Sequence, residues 1–183
     1  YDQWSFLEPD VVMSSQMSSK IKNGELSGFC NVDSKFLSEL EKDELFYTIL
    51  YIDVLEHIED DRREIISALA HLKENGRIIV VSPAHNWLYT PFDKAIGHFR
   101  RYNSTMLKEL LPSGLSWSVL RYIDSIGLFA SLANKLFLKQ SNPKRSQILF
   151  WDRVLVPLSR IFDKIFFHKF GKNIIAVLNK DKL

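Results

Sequence analysis

The stretch Tyr51–Asp61, "YIDVLEHIEDD", decides how this chain is read. It completes an aromatic and β-branched run, Phe46–Ile52 ("FYTILYI"), of the kind expected for a strand covered on both faces. The run ends in Asp53, Glu56 and His57, which places ionisable groups where water and ligand first become reachable. A helix is expected next: Asp61 can cap it, Glu64 three residues on completes a capping-box spacing, and Asn75-Gly76 ends it. Ile65, Ile66, Leu69 and Leu72 supply its apolar face. "RIIVVSP", Arg77–Pro83, then reads as a second buried strand. Strand, helix and strand joined by short links are the signature of a parallel, doubly wound sheet.

Working outward, "WSFLEPD" gives a short strand, Trp4–Leu7, and "VVMSSQMSSKIKNG" a helix stopped at Asn23-Gly24. "LSGFCNV" is a weak strand ending near Asp33. After Pro83 the period is lost. "AHNWLYTPFDKAIGHFRRYN" reads as a long loop with one helical turn, and loops of that length in compact domains are often functional. Ser104 is expected to cap a short helix, "TMLKELL", broken by Pro112 and Gly114, and "LSWSVLRYID" to form a strand. Two apolar helical segments follow, about 128–139 and 148–168, before a last strand in "NIIAVLN".

The 183 residues suffice for one domain with a real core, and a net charge of +2 gives no nucleic-acid footprint. The single cysteine, Cys30, excludes an internal disulfide and points weakly to a reducing, cytoplasmic setting. The most apolar stretch, Val119–Leu138, carries Arg121, Asp124, Asn134 and Lys135 and is not expected to span a bilayer.

In an open α/β sheet, ligands sit beyond the carboxyl ends of the strands. Glu8, Asp33 and Asp53 each close an expected strand. A carboxylate so placed accepts two hydrogen bonds from a vicinal diol, the pattern a ribose presents. Three acids along one sheet edge favour a nucleoside-like ligand over three solvated loop acids.

With "LEPD", "YIDVLEHIEDD" and "NGRIIVVSPAHNWLYTPFDKAIGHFRRYN" in place, the sequence resembles the class I S-adenosylmethionine-dependent methyltransferases, in particular a group carrying "VLEH" and later "PAH…LY…D…GH.RRY" elements. The resemblance implies an α/β, Rossmann-like class I methyltransferase sheet with a helical insertion (128–169) before its last strand, in one domain over 1–183. It implies S-adenosyl-L-methionine as cofactor. Glu8 and Pro9 match the ribose-binding turn, Asp33 or Ser34 the adenine edge, and Ile52, Asp53 and Val54 the strand end lining the cofactor. Glu56 and His57 match the "EH" of that group, which implies His57 among the cofactor-binding residues. Asp60 and Asp61 read as helix cap and first-turn acids.

None of the seven glycines forms the family's G-x-G-x-G turn. The family's first strand, at the sheet centre between Trp4–Leu7 and Phe46–Ile52, is therefore expected upstream of Tyr1, and the sheet is expected to be N-terminally truncated. Without it, unpaired backbone along two buried edges would cost about 1–3 kcal/mol per unmet group.

The loop from His85 to Tyr102 corresponds to the segment over the cofactor's methyl end. There His85, His98 and Arg101 are candidate catalytic residues, either histidine being able to take an acceptor proton. The competing reading fixes His98 and the arginines to Asp93 or to helix ends. In "ILFWDRVLVPLSRIFDKIFFHKFGKN", Phe150, Val154, Leu158, Ile161, Ile165 and Phe166 fall on one helical side. That side is expected to pack as a lid, to line an apolar pocket, or to touch a membrane surface peripherally through 148–168. The expected function is methyl transfer to a small-molecule or lipid- or glycan-linked acceptor. The alternatives are a non-catalytic nucleotide-binding or scaffold domain and an NAD-dependent enzyme; the "VLEH" element and the two closing strands argue against the latter.

Overall fold

The computed structural model describes residues 4–26, 29–133 and 145–181. The end of the expected 128–139 helix, and part of the basic linker before residue 145, lie outside them. The chain divides into two compact units, Tyr1–Glu44 and Leu45–Leu183.

In the first unit, β1 (Trp4–Leu7) pairs in parallel with β2 (Cys30–Asp33), Leu7 opposite Asp33. Between them runs α1 (Val11–Lys22). Asp10 caps it, its carboxylate accepting from the backbone N–H groups of Val12 and Met13 at 2.8 and 2.9 Å. Asn23 closes the helix and Gly24 turns out of it at φ +74°, a left-handed conformation that glycine adopts without strain.

The second unit is a four-stranded sheet in the order β3-β4-β6-β5, with β3 (Phe46–Ile52), β4 (Leu72–Pro83), β5 (Leu115–Ile123) and β6 (Asn173–Lys180). β3 and β4 are parallel. β6 runs antiparallel to both neighbours, so the sheet is mixed rather than wholly parallel. The alternation of β6 is clean: Ile174, Ala176 and Leu178 are buried, with Ile78, Val80, Leu72 and Leu115 in the same core. The strand–helix–strand step holds, with α2 (Asp61–Ala70) burying Ile65 and Ala68 between β3 and β4.

Four expectations need correction. The capping-box start at Asp61 gives way to the other reading of the pair: Asp60 caps α2, accepting from the Arg63 N–H at 3.0 Å, and Asp61 is a first-turn acid whose carboxylate is engaged elsewhere. The helix stops at Ala70 and Leu72 already belongs to β4. The Asn75-Gly76 pair sits instead where the β3–β4 register slips, between the Phe46–Leu72 and Thr48–Arg77 pairs. Asn103, not Ser104, caps α4 (Ser104–Glu109), accepting from the Met106 N–H at 2.8 Å.

The fourth correction concerns β3, which is not covered on both faces. Tyr47 is 69% and Ile52 55% exposed, and among the described residues β3 pairs with β4 alone.

Between β5 and β6 stand α5 (Ser125–Ala133), α6 (Arg145–Phe150), a π-helical turn (Trp151–Leu155) and α7 (Val156–Ile165). The expected apolar side of this region faces outward: Phe150, Val154, Leu158, Ile161 and Ile165 are all exposed. Polar groups hold α7 in place. Asp163, buried, accepts from the N–H groups of Asp124 and Ser125 at the start of α5, and Ser159 donates to Asp124 Oδ1 at 2.7 Å. These bonds satisfy orphan donors at the start of α5 and dock the helix without its apolar face. Close approach replaces side-chain packing where α7 leads into β6: a Cβ on Gly171 would lie 2.1 Å from the Ile123 carbonyl oxygen.

Candidate functional site

The site residues expected from sequence fall in both units. In the first, the ends of β1 and β2 bring Glu8, Pro9, Asp33 and Ser34 together. The Glu8 N–H donates to the Asp33 carbonyl at 3.0 Å, and the Ser34 hydroxyl to the Pro9 carbonyl at 3.4 Å. The Glu8 carboxylate accepts from the Asp10 N–H at 2.9 Å through Oε1, which leaves Oε2 and the remaining lone pairs for a diol.

In the second unit, β3 ends at Ile52 and the chain turns sharply at Asp53, whose φ of +52° is rare outside glycine. Asp53, Val54 and His57 are exposed, whereas the short 3-10 turn Leu55–His57 drives Leu55 and Glu56 to 0% exposure. Glu56 thus lies beneath the strand end. Its Oε2 accepts from the Ser82 hydroxyl at 3.0 Å, and its Oε1 has no hydrogen-bond partner. Burial pushes the Glu56 carboxyl above the usual range, and the charge of Asp53 adds to this against the pull of its hydrogen bonds.

The loop after β4 is built around Asp93. Pro91 begins α3 (Pro91–Ala95), and Asp93 Oδ2 accepts from the backbone N–H and the hydroxyl of Thr90, both at 2.8 Å. Its Oδ1 receives Arg101 Nε at 2.9 Å and Nη2 at 2.8 Å, with His98 Nδ1 at 3.2 Å. Burial alone would raise the Asp93 pKa, but Thr90 and Arg101 outweigh it and hold the carboxyl below its ordinary value. His98 is shifted down by burial, which exceeds the support it draws from Asp93. Two of the three expected catalytic residues, His98 and Arg101, are therefore assembled on one buried carboxylate.

His85 stands apart from that pair. Its φ is +65°, its ring stacks on Tyr122 at 4.8 Å and 12°, and its Nε2 is buried without a partner. Burial lowers its pKa, as does the charge of Arg101, against a hydrogen bond to the Gly171 backbone. Arg100 pairs with Asp61 and donates to the Glu59 carbonyl at 2.7 Å. Tyr102 is fully buried, donating to Asp61 Oδ2 at 2.8 Å. An isolated bridge from Tyr102 to Ala84 closes the loop on itself.

Sequence reasoning placed Glu56 in a motif but not in the site, although an acid three residues past a strand end, beside a histidine, was the available signal. It missed Ser82 and Lys172. Lys172 carries a pKa lowered by burial, feels the charges of Asp53 and Asp93, and lies over the Trp151 ring at 4.1 Å. Nothing in "FGKNII" signals that position.

No family model matches the sequence, and no curated protein matches it either. Solved structures do match. The [4+2]-cyclase SpnF superposes with a TM-score of 0.62 at 16% identity, over 98% of this chain and 66% of that one. The N-methyltransferase NodS from Bradyrhizobium japonicum, solved with S-adenosyl-L-homocysteine, gives 0.53 at 11% identity over 98% and 67%. Coclaurine N-methyltransferase, bound to N-methylheliamine and S-adenosyl-L-homocysteine, gives 0.59 at 11% identity over 96% and 60%. Across such matches this chain spans 60–84% of the neighbour's length. The fold is the Rossmann-like fold of these methyltransferases. At such identities the likeness is one of fold, and the cyclase among the matches is a reminder that one fold hosts several chemistries.

Proposed function

We propose that this chain belongs to an enzyme that transfers the methyl group of S-adenosyl-L-methionine to a small-molecule or lipid- or glycan-linked acceptor. The observation that carries the reading is the grouping of Glu8, Asp33 and Ser34 at the carboxyl ends of the parallel pair β1 and β2 within this fold. A carboxylate there suits the ribose diol. The cofactor supplies the electrophilic methyl group. The protein would align an acceptor with it and exclude water, and a neutral histidine would take the acceptor's proton. His85 and His98 are both biased toward the neutral form.

A lipid-linked acceptor is supported by the outward apolar side of α6–α7, interleaved with exposed Arg153, Arg160 and Lys164. No helix among the described residues is long and apolar enough to cross a membrane, so any such contact would be peripheral. Vesicle flotation with anionic lipid should recover the protein, and Ile161→Asp with Ile165→Asp should abolish recovery.

The cofactor reading is tested by calorimetry with S-adenosyl-L-homocysteine. Glu8→Ala in the full protein should weaken binding by about 1.5–3 kcal/mol, the scale of a hydrogen bond to a charged group. Equal affinity in the two proteins would remove Glu8 from the ribose site.

A further inference from the structure

We propose that Glu56, His57 and His98 form a binding site for one divalent first-row transition cation, such as Zn²⁺ or Mn²⁺. Each residue offers one ligand atom, and these atoms lie within 4.8 Å of one another. In a tetrahedral shell with bonds of about 2.0–2.2 Å the ligand atoms stand about 3.3–3.6 Å apart, so side-chain rotations moving these atoms by about an ångström close the set.

The hydrogen bonding leaves a gap that a cation fits. Asp93 already accepts from Thr90 and Arg101, and an ionised carboxylate can only accept, so His98 Nδ1 must carry the proton shared with it. His98 Nε2 then presents its lone pair, and it faces Glu56 Oε1 at 3.9 Å. That oxygen belongs to a side chain of 0% exposure and has no partner. At 3.9 Å no hydrogen bond joins the two atoms, whichever of them holds a proton. Two acceptor atoms thus face each other, and the Glu56 oxygen has no donor. A buried carboxyl oxygen left without a partner is unfavourable, and coordination would remove that deficit.

The third ligand and the supports are also in place. The His57 ring meets the His98 ring edge to face, with centroids 4.5 Å apart. Gly97, at φ +86°, makes the turn that delivers His98 beside His57. His98 is held by its own N–H to the Asp93 carbonyl at 2.9 Å and by the Tyr89 hydroxyl to its carbonyl at 2.6 Å, and Phe99 N–H donates to the Glu56 carbonyl at 2.8 Å. The Asp93–His98 contact is the carboxylate–histidine arrangement that fixes tautomer and orientation in metal sites. Two imidazoles and one carboxylate suit Zn²⁺, Mn²⁺ or Fe²⁺ better than Mg²⁺ or Ca²⁺, which prefer all-oxygen shells. His57 and Asp53 are exposed, so coordination positions stay open to water or a ligand oxygen.

This site does not depend on the methyl-transfer reading, and the test uses no cofactor. The full protein, stripped with chelator, is titrated with Zn²⁺ by calorimetry and with Mn²⁺ by electron paramagnetic resonance. One equivalent should bind, and His57→Ala and His98→Ala should each weaken it by more than about tenfold, the loss that even an outer-shell partner's removal gives. His57 is exposed, so its variant should keep the wild-type thermal unfolding curve and serve as the folded control. Glu56→Gln should lose the cation while keeping the Ser82 bond. Failure of the wild-type protein to bind either ion, or unchanged affinity in a folded His57→Ala protein, would overturn the assignment.

Discussion

Removing the Asp93 carboxylate should damage this protein more than any other single change in the loop after β4. The side chain is 1% exposed and accepts from Thr90, Arg101 and His98 at once, while the Arg101 side chain is only 11% exposed. In Asp93→Ala the guanidinium stays buried without its counter-charge, its Nη1 already lacking a partner. Breaking a buried pair in this way costs about 3–5 kcal/mol. For a chain of this length each kcal/mol moves the midpoint by about 2–4 °C, so Tm should fall by about 6–20 °C. Urea unfolding of the wild type, Asp93→Ala, Arg101→Met and the double variant measures the pair directly. The double variant should be more stable than Asp93→Ala, because it no longer buries an unpaired charge, with a coupling of about 0.5–3 kcal/mol. If Asp93→Ala lost less than about 1 kcal/mol, or if the two effects simply added, the loop would not be organised on this carboxylate.

Two further outcomes follow from the same geometry. Tyr102→Phe removes a buried hydroxyl that donates to Asp61 at 2.8 Å and reaches the Leu55 carbonyl at 3.2 Å, and should cost about 1–3 kcal/mol by urea unfolding; an unchanged midpoint would refute it. His85 has a folded pKa below its unfolded value of about 6.5, so folding favours its neutral form; the stability it contributes is present above that pH and is lost progressively as pH falls toward the folded pKa. His85→Phe should therefore lose less stability than the wild type between pH 7.5 and 5.5, and equal losses would contradict the assignment.

The strands and most helix limits were legible because they rest on local chemistry. Asn23 and Gly24 end α1 at the stop that the sequence displays, and the apolar runs of β4 and β6 tolerate only a buried place. The choice between Asp60 and Asp61 as cap has a long-range cause. Its carboxylate meets Arg100 and Tyr102, some forty residues away, and the neighbouring Asp60 takes the cap. For the α6–α7 side, apolar periodicity states that a face exists, not what covers it, so lid, pocket lining and membrane contact stayed open in the sequence; Asp163 and Ser159 dock the helix through polar bonds. In the site, strand-end acids could be located from sequence. The burial of Glu56, and the Asp93 node joining residues 90, 98 and 101, depend on tertiary contacts that no local pattern carries.

A crystal structure of the full protein grown with S-adenosyl-L-homocysteine tests the central claim most directly. The account predicts both ribose hydroxyls on the Glu8 carboxylate at the end of β1. Ligand bound elsewhere, or saturating ligand with the Glu8 carboxylate left facing solvent, would contradict it.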